Sequence, residues 1–319
     1  MISKQQMERL LQQRWTIFPI MIPSYKRWDR RENTTMTRII ELCSEEVQQN
    51  TYLFVRHEQQ AAYRDNFPTA NIIALPETAC TGLAATRQYL TDFCIHDLGK
   101  PSFIDMDDDI TALKHVYYDN VEAKDRLSTK ADANPEAVLR LGCAFSLYAF
   151  EEYGAVIGGL HRFRFASQYP ASQMAFKLNG GSTPRHIVFT NGRALSMRGI
   201  KRSMLFDETG DDVGLVAEIA KTGGDFFQIQ SLAYSYVDDD VNSVIRNRDN
   251  ARQLASQEHQ ALLTYPIGRE YLRISQKFSD GSYRFSDIDY AEYARVMGRP
   301  QATVGIEDFI AWAKRKKQC

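Results

Sequence analysis

The residues with the clearest chemical purpose lie in segment 102–110, which reads S-F-I-D-M-D-D-D-I: a short apolar run closing in four carboxylates within five residues. If Phe103 to Met106 forms a buried strand, its two-residue side-chain period turns Asp105, Asp107 and Asp109 to one face and Asp108 to the other. Unit charges roughly 4 Å apart repel by about 4 kcal/mol at an effective dielectric of about 20, so the cluster needs a cation or a loop that splays it into water. A hard divalent ion such as Mg2+ or Mn2+ meets that need. It is held by one or two protein carboxylates plus the phosphate oxygens of a substrate. A solvated acidic loop capping a helix is the alternative.

A second acidic pair, Asp211 and Asp212, falls in F-D-E-T-G-D-D-V-G-L at the start of a predicted helix carrying Leu215, Ile219 and Ala220. Negative side chains there meet the positive end of the helix dipole, and capping accounts for one aspartate comfortably and for the adjacent pair less well. A third run, Asp238 to Asp240, reads as the cap of a following polar helix. Among the histidines, His161 at a predicted strand end is the best placed to join a metal set, although a lone histidine there is more often a hydrogen-bonded structural group. Cationic clusters occur at Lys26, Arg27, Arg30 and Arg31, and at Arg193, Arg198, Lys201 and Arg202. The basic run Lys314 to Lys317 reads as a solvated tail.

These residues must be positioned by a chain of 319 residues that is 44% apolar and 25% charged, an ordinary globular composition with length for one main domain and a smaller unit. Lysine plus arginine (39) nearly cancels aspartate plus glutamate (40), so a phosphate-binding surface must come from local clustering. Five cysteines without close-pair spacing argue against a disulfide framework and against a zinc site, and so for a reducing compartment. The N-terminus has no secretory apolar core and no apolar stretch is long enough to span a bilayer, so a cytoplasmic protein is expected.

Segment 15–22 (W-T-I-F-P-I-M-I) reads as a first buried strand, stopped by Pro23 and a polar loop. A helix follows over 36–49, with Met36, Ile39, Ile40, Cys43 and Val47 on one face. Strands are predicted at 51–55 and 70–75, and a helix at 82–94. This alternation of strand and helix predicts a mostly parallel sheet with helices packed on it, whose ligands bind beyond the carboxyl ends of the strands. Segment 111–132 reads as loop with some helix. Asn134-Pro135 opens an amphipathic helix that stops at Gly154. The next strand, 155–160, carries two glycines, which in a strand mark a bulge or a close backbone approach. Segment 186–189 is a further strand, and Asn191-Gly192 is a turn signal. A turn is expected at Asp280-Gly281. The predicted boundaries are 1–236 for the main domain and 237–319 for a smaller, helix-rich accessory region.

Three features in order resemble the GT-A class of nucleotide-sugar glycosyltransferases: the first strand with its polar loop (I-P-S-Y-K-R), the acidic strand end (F-I-D-M-D-D-D-I), and the later pair (T-G-D-D-V-G-L). With V-R-H-E-Q at 55–59 and T-G-L-A-A-T-R-Q-Y-L at 81–90, the chain resembles the phage glycosyltransferases associated with TET/JBP-type base dioxygenases. The resemblance spans about 20–229. It implies a GT-A-like, Rossmann-like α/β fold, a UDP-sugar donor, Mn2+ or Mg2+ as cofactor, and DNA carrying a hydroxymethylated pyrimidine as partner. It makes Pro23, Ser24, Tyr25 and Arg56 nucleotide contacts and Thr86, Arg87 and Gln88 sugar-nucleotide or structural contacts. Asp107 and Asp109 become the metal motif, with Asp108 on the nucleotide sugar. Asp211 or Asp212 becomes the catalytic or acceptor-orienting carboxylate. The additional Asp105 leaves open which two carboxylates hold metal. If the acceptor is DNA, Arg162, Arg164, Arg193, Arg198, Lys201 and Arg202 are the expected phosphate grips, and the location is cytoplasmic, that of the host if the gene is a phage's. A polysaccharide acceptor, or a non-catalytic nucleotide- or DNA-binding module on the same fold, remains an alternative.

Overall fold

The structure, a computed structural model, describes residues 3–115, 131–132, 134–162, 174–180, 183–207, 210–237, 248–277 and 283–317. Arg164, Asp238 to Asp240 and the Asp280-Gly281 turn lie outside these residues.

Hydrophobic continuity sets the centre of the molecule. Strands β1 (Ile20–Pro23), β2 (Thr51–Arg56), β3 (Asn71–Leu75) and β4 (Ser102–Met106) pair in parallel in the order β4-β1-β2-β3. Ile20, Met21 and Ile22 are fully buried, as are Ile104, Asp105 and Met106. Runs apolar on both faces are what a sheet covered by helices requires. The chain then adds β5 (Ile110–His115), β6 (Ala131–Asp132), β7 (Ala155–Arg162), β8 (Met174–Leu178), β9 (Ile187–Asn191) and β10 (Asp225–Tyr236). Near the C-terminus come β11 (Leu272–Lys277), β12 (Tyr283–Ile288) and β13 (Thr303–Gly305). The main sheet has the order β13-β8-β10-β7-β9-β4-β1-β2-β3, with β5 on β10 and β6 on β5. Within it β5, β8 and β9 run against the other strands, so the sheet is mixed and mostly parallel.

The helix Pro135–Tyr153 follows its sequence signals: the Asn134 side chain accepts from the Ala137 amide, and Gly154 closes it at φ +64°. Its Arg140 is buried and donates to Glu136 (2.7 Å), Glu46 (2.8 Å) and the Trp15 carbonyl (2.7 Å), tying three segments together. The two glycines of β7 do mark close approach. A Cβ on Gly158 would lie 2.0 Å from Cζ of Phe227 on the adjacent β10.

Several expectations are corrected. Segment 36–49 is three short pieces, Thr35–Arg38, the 3-10 turn Ile40–Leu42 and Glu45–Gln49, although the predicted apolar positions are buried. Its first turn is held by the acidic segment instead of by a continuing helix: the Thr35 amide donates to the Asp108 carbonyl (2.9 Å), and its hydroxyl donates to the Asp107 carbonyl (2.6 Å). Residues 111–115, expected as loop with some helix, belong to β5 and pair with the long β10. Asn191-Gly192 is not a hairpin turn. The Asn191 side chain accepts from the Ala194 amide (3.0 Å) and caps the helix Gly192–Met197.

The helix-rich accessory region is also redrawn. The helices Arg248–Leu263, Pro266–Tyr271 and Tyr290–Val296 accompany a two-stranded β11-β12 sheet, but β13 pairs with β8 in the main sheet. The helix Ile306–Lys317 then lays Phe309 and Trp312 on Phe145 and Tyr148, with ring centroids 4.5 Å and 5.2 Å apart for Phe145–Phe309 and Tyr148–Trp312. Residues 303–317 therefore complete the main core. No helix among the described residues is long and apolar enough to cross a membrane. Cys43, Cys80, Cys94 and Cys143 are free thiols.

Candidate functional site

Strand β4 delivers the carboxylates. Asp105 is still inside the strand and wholly buried, whereas Asp107 to Asp109 form the turn into β5 at its carboxyl end. The antiparallel neighbour β9 begins at this same end, and the Asp107 amide donates to the His186 carbonyl (2.8 Å). His186 takes φ +59°, uncommon for a residue with a side chain. Its Nδ1 lies 2.7 Å from Oδ2 of Asp107, and its ring stacks on Tyr236 at 4.4 Å.

Asp107, Asp109 and His186 offer ligand atoms within 4.8 Å of one another, the set among the described residues that fits a metal ion. Asp109 Oδ1 is buried and has no hydrogen-bond partner. Around the trio, Asp105, Asp107, Asp108, Asp109 and Asp211 face the guanidiniums of Arg27, Arg87 and Arg202. The excess of carboxylates over guanidiniums is what one divalent cation balances. The two carboxylates suit Mn2+ or Mg2+, and the imidazole favours the softer Mn2+ of the two. Burial raises the Asp109 carboxyl, and repulsion from Asp107 and Asp108 adds to it, pushing it up to about 7. For Asp107 burial acts in the same direction, but the Arg87 charge and the His186 bond outweigh it and hold the carboxyl below the usual range.

The remaining aspartates have separate duties. Asp108 accepts from the Ser24 hydroxyl (2.5 Å), which also bonds Tyr63 (2.7 Å), and lies 3.0 Å from Arg27. Asp105 is an internal anchor. It pairs with Arg87 (2.9 Å) and Arg202 (3.0 Å), and both arginines also reach Asp211, at 3.2 Å and 2.8 Å. Arg87 has a further contact to Asp107, so this buried ring joins the acidic turn to the first residue of the helix Asp211–Lys221. Burial raises the Asp211 carboxyl against the pull of its two arginines. Asp212 is more open, 21% exposed at its side chain, and pairs with Arg185 at 2.8 Å.

The predicted site residues therefore divide. Pro23 ends β1, and Ser24, Asp107, Asp108 and Asp109 converge at the strand ends. Tyr25 is 42% exposed, with Arg56 4.5 Å from its ring centroid and Lys26 at 5.0 Å. The Thr86 hydroxyl is used by the Ala79 and Gly82 carbonyls, and Gln88 by Arg202 and Asp92, so these two side chains brace protein. Arg202, expected on a phosphate-gripping surface, is instead buried in the carboxylate ring. Arg193 and Arg198 are exposed away from the acidic turn: the Arg193 amide meets the Pro101 carbonyl before β4 begins, and Arg198 donates to Thr222 beyond the far end of the helix Asp211–Lys221. Lys201 is exposed, and Arg162 is the last residue of β7, which ends beside the start of β9. His161 is buried in β7 and is not in the metal trio. Sequence reasoning missed His186, Arg27 and Arg185 as site residues. The available signal for His186 was its place at the start of a predicted strand, which an antiparallel pairing sets beside the end of β4.

With the acidic turn at the strand ends in view, the family comparison gives the class: the chain is a glycosyltransferase. The family model described as TET-Associated Glycosyltransferase matches residues 18–179, and the chain belongs to that family. The match contains the acidic turn, whereas His186, Asp211 and Asp212 follow it. No curated protein matches the sequence. Solved structures that resemble the chain include S. aureus TarS 1-349 in complex with UDP, with 9% identity over 79% of this chain and 67% of that chain and a TM-score of 0.42. A second structure of S. aureus TarS 1-349 gives 10% identity over the same shares and a TM-score of 0.40. Mannose-1-phosphate geranyltransferase from Thermus thermophilus gives 10% identity over 74% of this chain and 78% of that chain, with a TM-score of 0.35. These likenesses transfer neither ligands nor residue roles.

Proposed function

We propose that the protein transfers a sugar, glucose or arabinose, from a UDP-sugar to the hydroxymethyl group of a modified pyrimidine in DNA, most simply 5-hydroxymethylcytosine, in a reaction that depends on Mn2+ or Mg2+. The observation that carries this reading is the Asp107, Asp109 and His186 trio at the end of β4, in a chain of the TET-Associated Glycosyltransferase family. Those three side chains would hold the metal, which supplies Lewis-acid stabilisation of the departing diphosphate. Ser24, Tyr25, Arg56 and Asp108 line the donor side.

Asp212 is the better general base, because Asp211 is locked between two guanidiniums. The acceptor oxygen attacks the anomeric carbon, its proton passes to the Asp212 carboxylate, and the bond from that carbon to the diphosphate breaks with its electron pair on the leaving oxygen. A base inside a duplex hides its hydroxymethyl group, so the nucleotide is flipped out or taken from single-stranded DNA.

Hydroxymethylated DNA incubated with Mn2+ and a panel of nucleotide sugars, then digested to nucleosides and weighed by mass spectrometry, should gain one hexose or pentose per modified base. Asp107→Ala and Asp109→Ala should abolish that gain while leaving the chain folded. Sugar transfer to glycan acceptors with none to DNA would sink the acceptor assignment. Full activity in either variant would sink the metal assignment.

A further inference from the structure

The cationic loop after β1 has a member that the site description leaves without a substrate role. Arg27 presents Nη1 at 3.0 Å from Oδ1 of Asp108 and 3.6 Å from Oδ2 of Asp109. The first is a close ion pair and the second an ion pair beyond hydrogen-bond range. Its side chain is 12% exposed, and its backbone amide is pinned to the Tyr63 hydroxyl at 3.1 Å. Arg27 therefore stands beside a carboxylate of the metal trio, on the loop where ligands of parallel sheets bind.

Four other guanidiniums near this site are paired away from the outer edge of the turn. Arg87 is enclosed by Asp105, Asp107 and Asp211, and Arg202 by Asp105 and Asp211. Arg185 holds Asp212, and Arg56 donates to the Cys80 carbonyl (3.1 Å) beside Tyr25. Among these, Arg27 is the guanidinium held against an outer carboxylate of the turn, where an anion bridging Asp107 and Asp109 through a divalent ion would come within its reach.

We infer that Arg27 is a diphosphate-binding residue: its guanidinium engages the phosphate oxygens of the donor and stabilises the charge left on the nucleoside diphosphate when the bond to the sugar breaks. The inference rests on the proposed function and adds the residue that carries leaving-group charge alongside the metal ligands. Arginine suits the task because its planar fork matches phosphate oxygens and stays charged at any working pH. Coupling follows from the same position. While Asp108 and Asp109 draw on Arg27, the site is partly neutralised; a divalent ion held at Asp109 would take over the weaker 3.6 Å pull, with Arg27 still beside Asp108 and facing the incoming diphosphate.

The test is binding to the full chain with Mn2+ present, comparing UDP by calorimetry with uridine by ligand-observed NMR. Loss of a charge-assisted contact predicts that Arg27→Gln weakens UDP about 10- to 100-fold while uridine binding stays unchanged. Arg27→Lys, which keeps charge but loses the fork, should fall between, and Mn2+ binding alone, followed by electron paramagnetic resonance, should not weaken in either variant. Arg31→Gln is the control, since Arg31 pairs with Glu41 at the surface (2.7 Å) and should leave UDP binding intact. UDP affinity within about 2-fold of wild type in folded Arg27→Gln would overturn the inference, as would equal losses for UDP and uridine. If Arg27→Gln fails to fold, Arg27→Lys decides on the same comparison. A wild-type protein that binds no nucleoside diphosphate with Mn2+ would instead overturn the proposed function.

Discussion

At the level of single residues, burial separates the aspartates into roles that their spacing left equal. Asp105 is wholly buried and neutralised by Arg87 and Arg202, so it anchors the turn and is unavailable to a ligand. Asp105→Ala would leave Arg202 with Asp211 and Arg87 with Asp211 and Asp107, and removing one partner of a buried ionic network costs about 3–5 kcal/mol. Chemical denaturation should show that loss; a change below about 1 kcal/mol would mean the ring is not a structural anchor. Asp212→Asn should behave in the opposite way. It should leave stability and donor binding near wild type while lowering transfer by about 10²- to 10⁴-fold, the range expected for removal of a general base. Single-turnover assays with saturating donor check this, and unchanged turnover would return the base role to another group.

At the level of elements, the sheet depends on one strand lacking side-chain bulk. Gly158→Ala would set a methyl carbon on the buried ring of Phe227, and overpacking of this kind costs about 1–3 kcal/mol. A lowered thermal midpoint with unchanged UDP affinity is the expected result. Arg140 governs a second junction. The Glu136 carboxyl is lowered because bonds from Ser44 and Arg140 outweigh its burial, and Glu46 is lowered by bonds from Arg14 and Arg140. Groups whose folded pKa lies below the unfolded one contribute stability above the ordinary carboxylate range and lose it as pH falls through the folded value. Stability should therefore decline as pH drops from about 5 toward 3, and Arg140→Met should flatten that decline as well as lower the plateau. Parallel acid limbs for the two proteins would contradict this account.

For the molecule as a whole, the C-terminal segment is a structural part of the main body. Deleting residues 303–319 removes β13 from the edge of β8 and uncovers Phe145 and Tyr148. The truncated chain should be insoluble or should unfold without a cooperative transition, as measured by calorimetry. A soluble, cooperatively folding product would restore the boundary after residue 236. The same global view bears on the expected phosphate grips for the proposed DNA acceptor. With Arg202 buried and Arg193 and Arg198 beyond the opposite end of β4, Arg193→Ala with Arg198→Ala should leave the salt dependence of DNA binding unchanged, since log affinity tracks the phosphates actually neutralised.

The amino-acid sequence by itself determined the parallel half of the sheet and the capped helix after Asn134, and it marked the glycines of β7 and the acidic run at the end of β4 as places to look. Each of these is written in near neighbours: apolar runs, cap residues, glycines and adjacent charges act over a few positions of chain. The tertiary structure decided which carboxylate does what. Asp105, Arg87, Arg202 and Asp211 are distant in sequence and meet only because β4 and two helices converge, which turns expected contacts to substrate or DNA into a buried ionic ring. His186 entered the metal trio, and His161 did not, because β9 runs antiparallel to β4 and so begins where β4 ends. Strand direction and the meeting of remote charges are properties of packing, and no local pattern of residues encodes them.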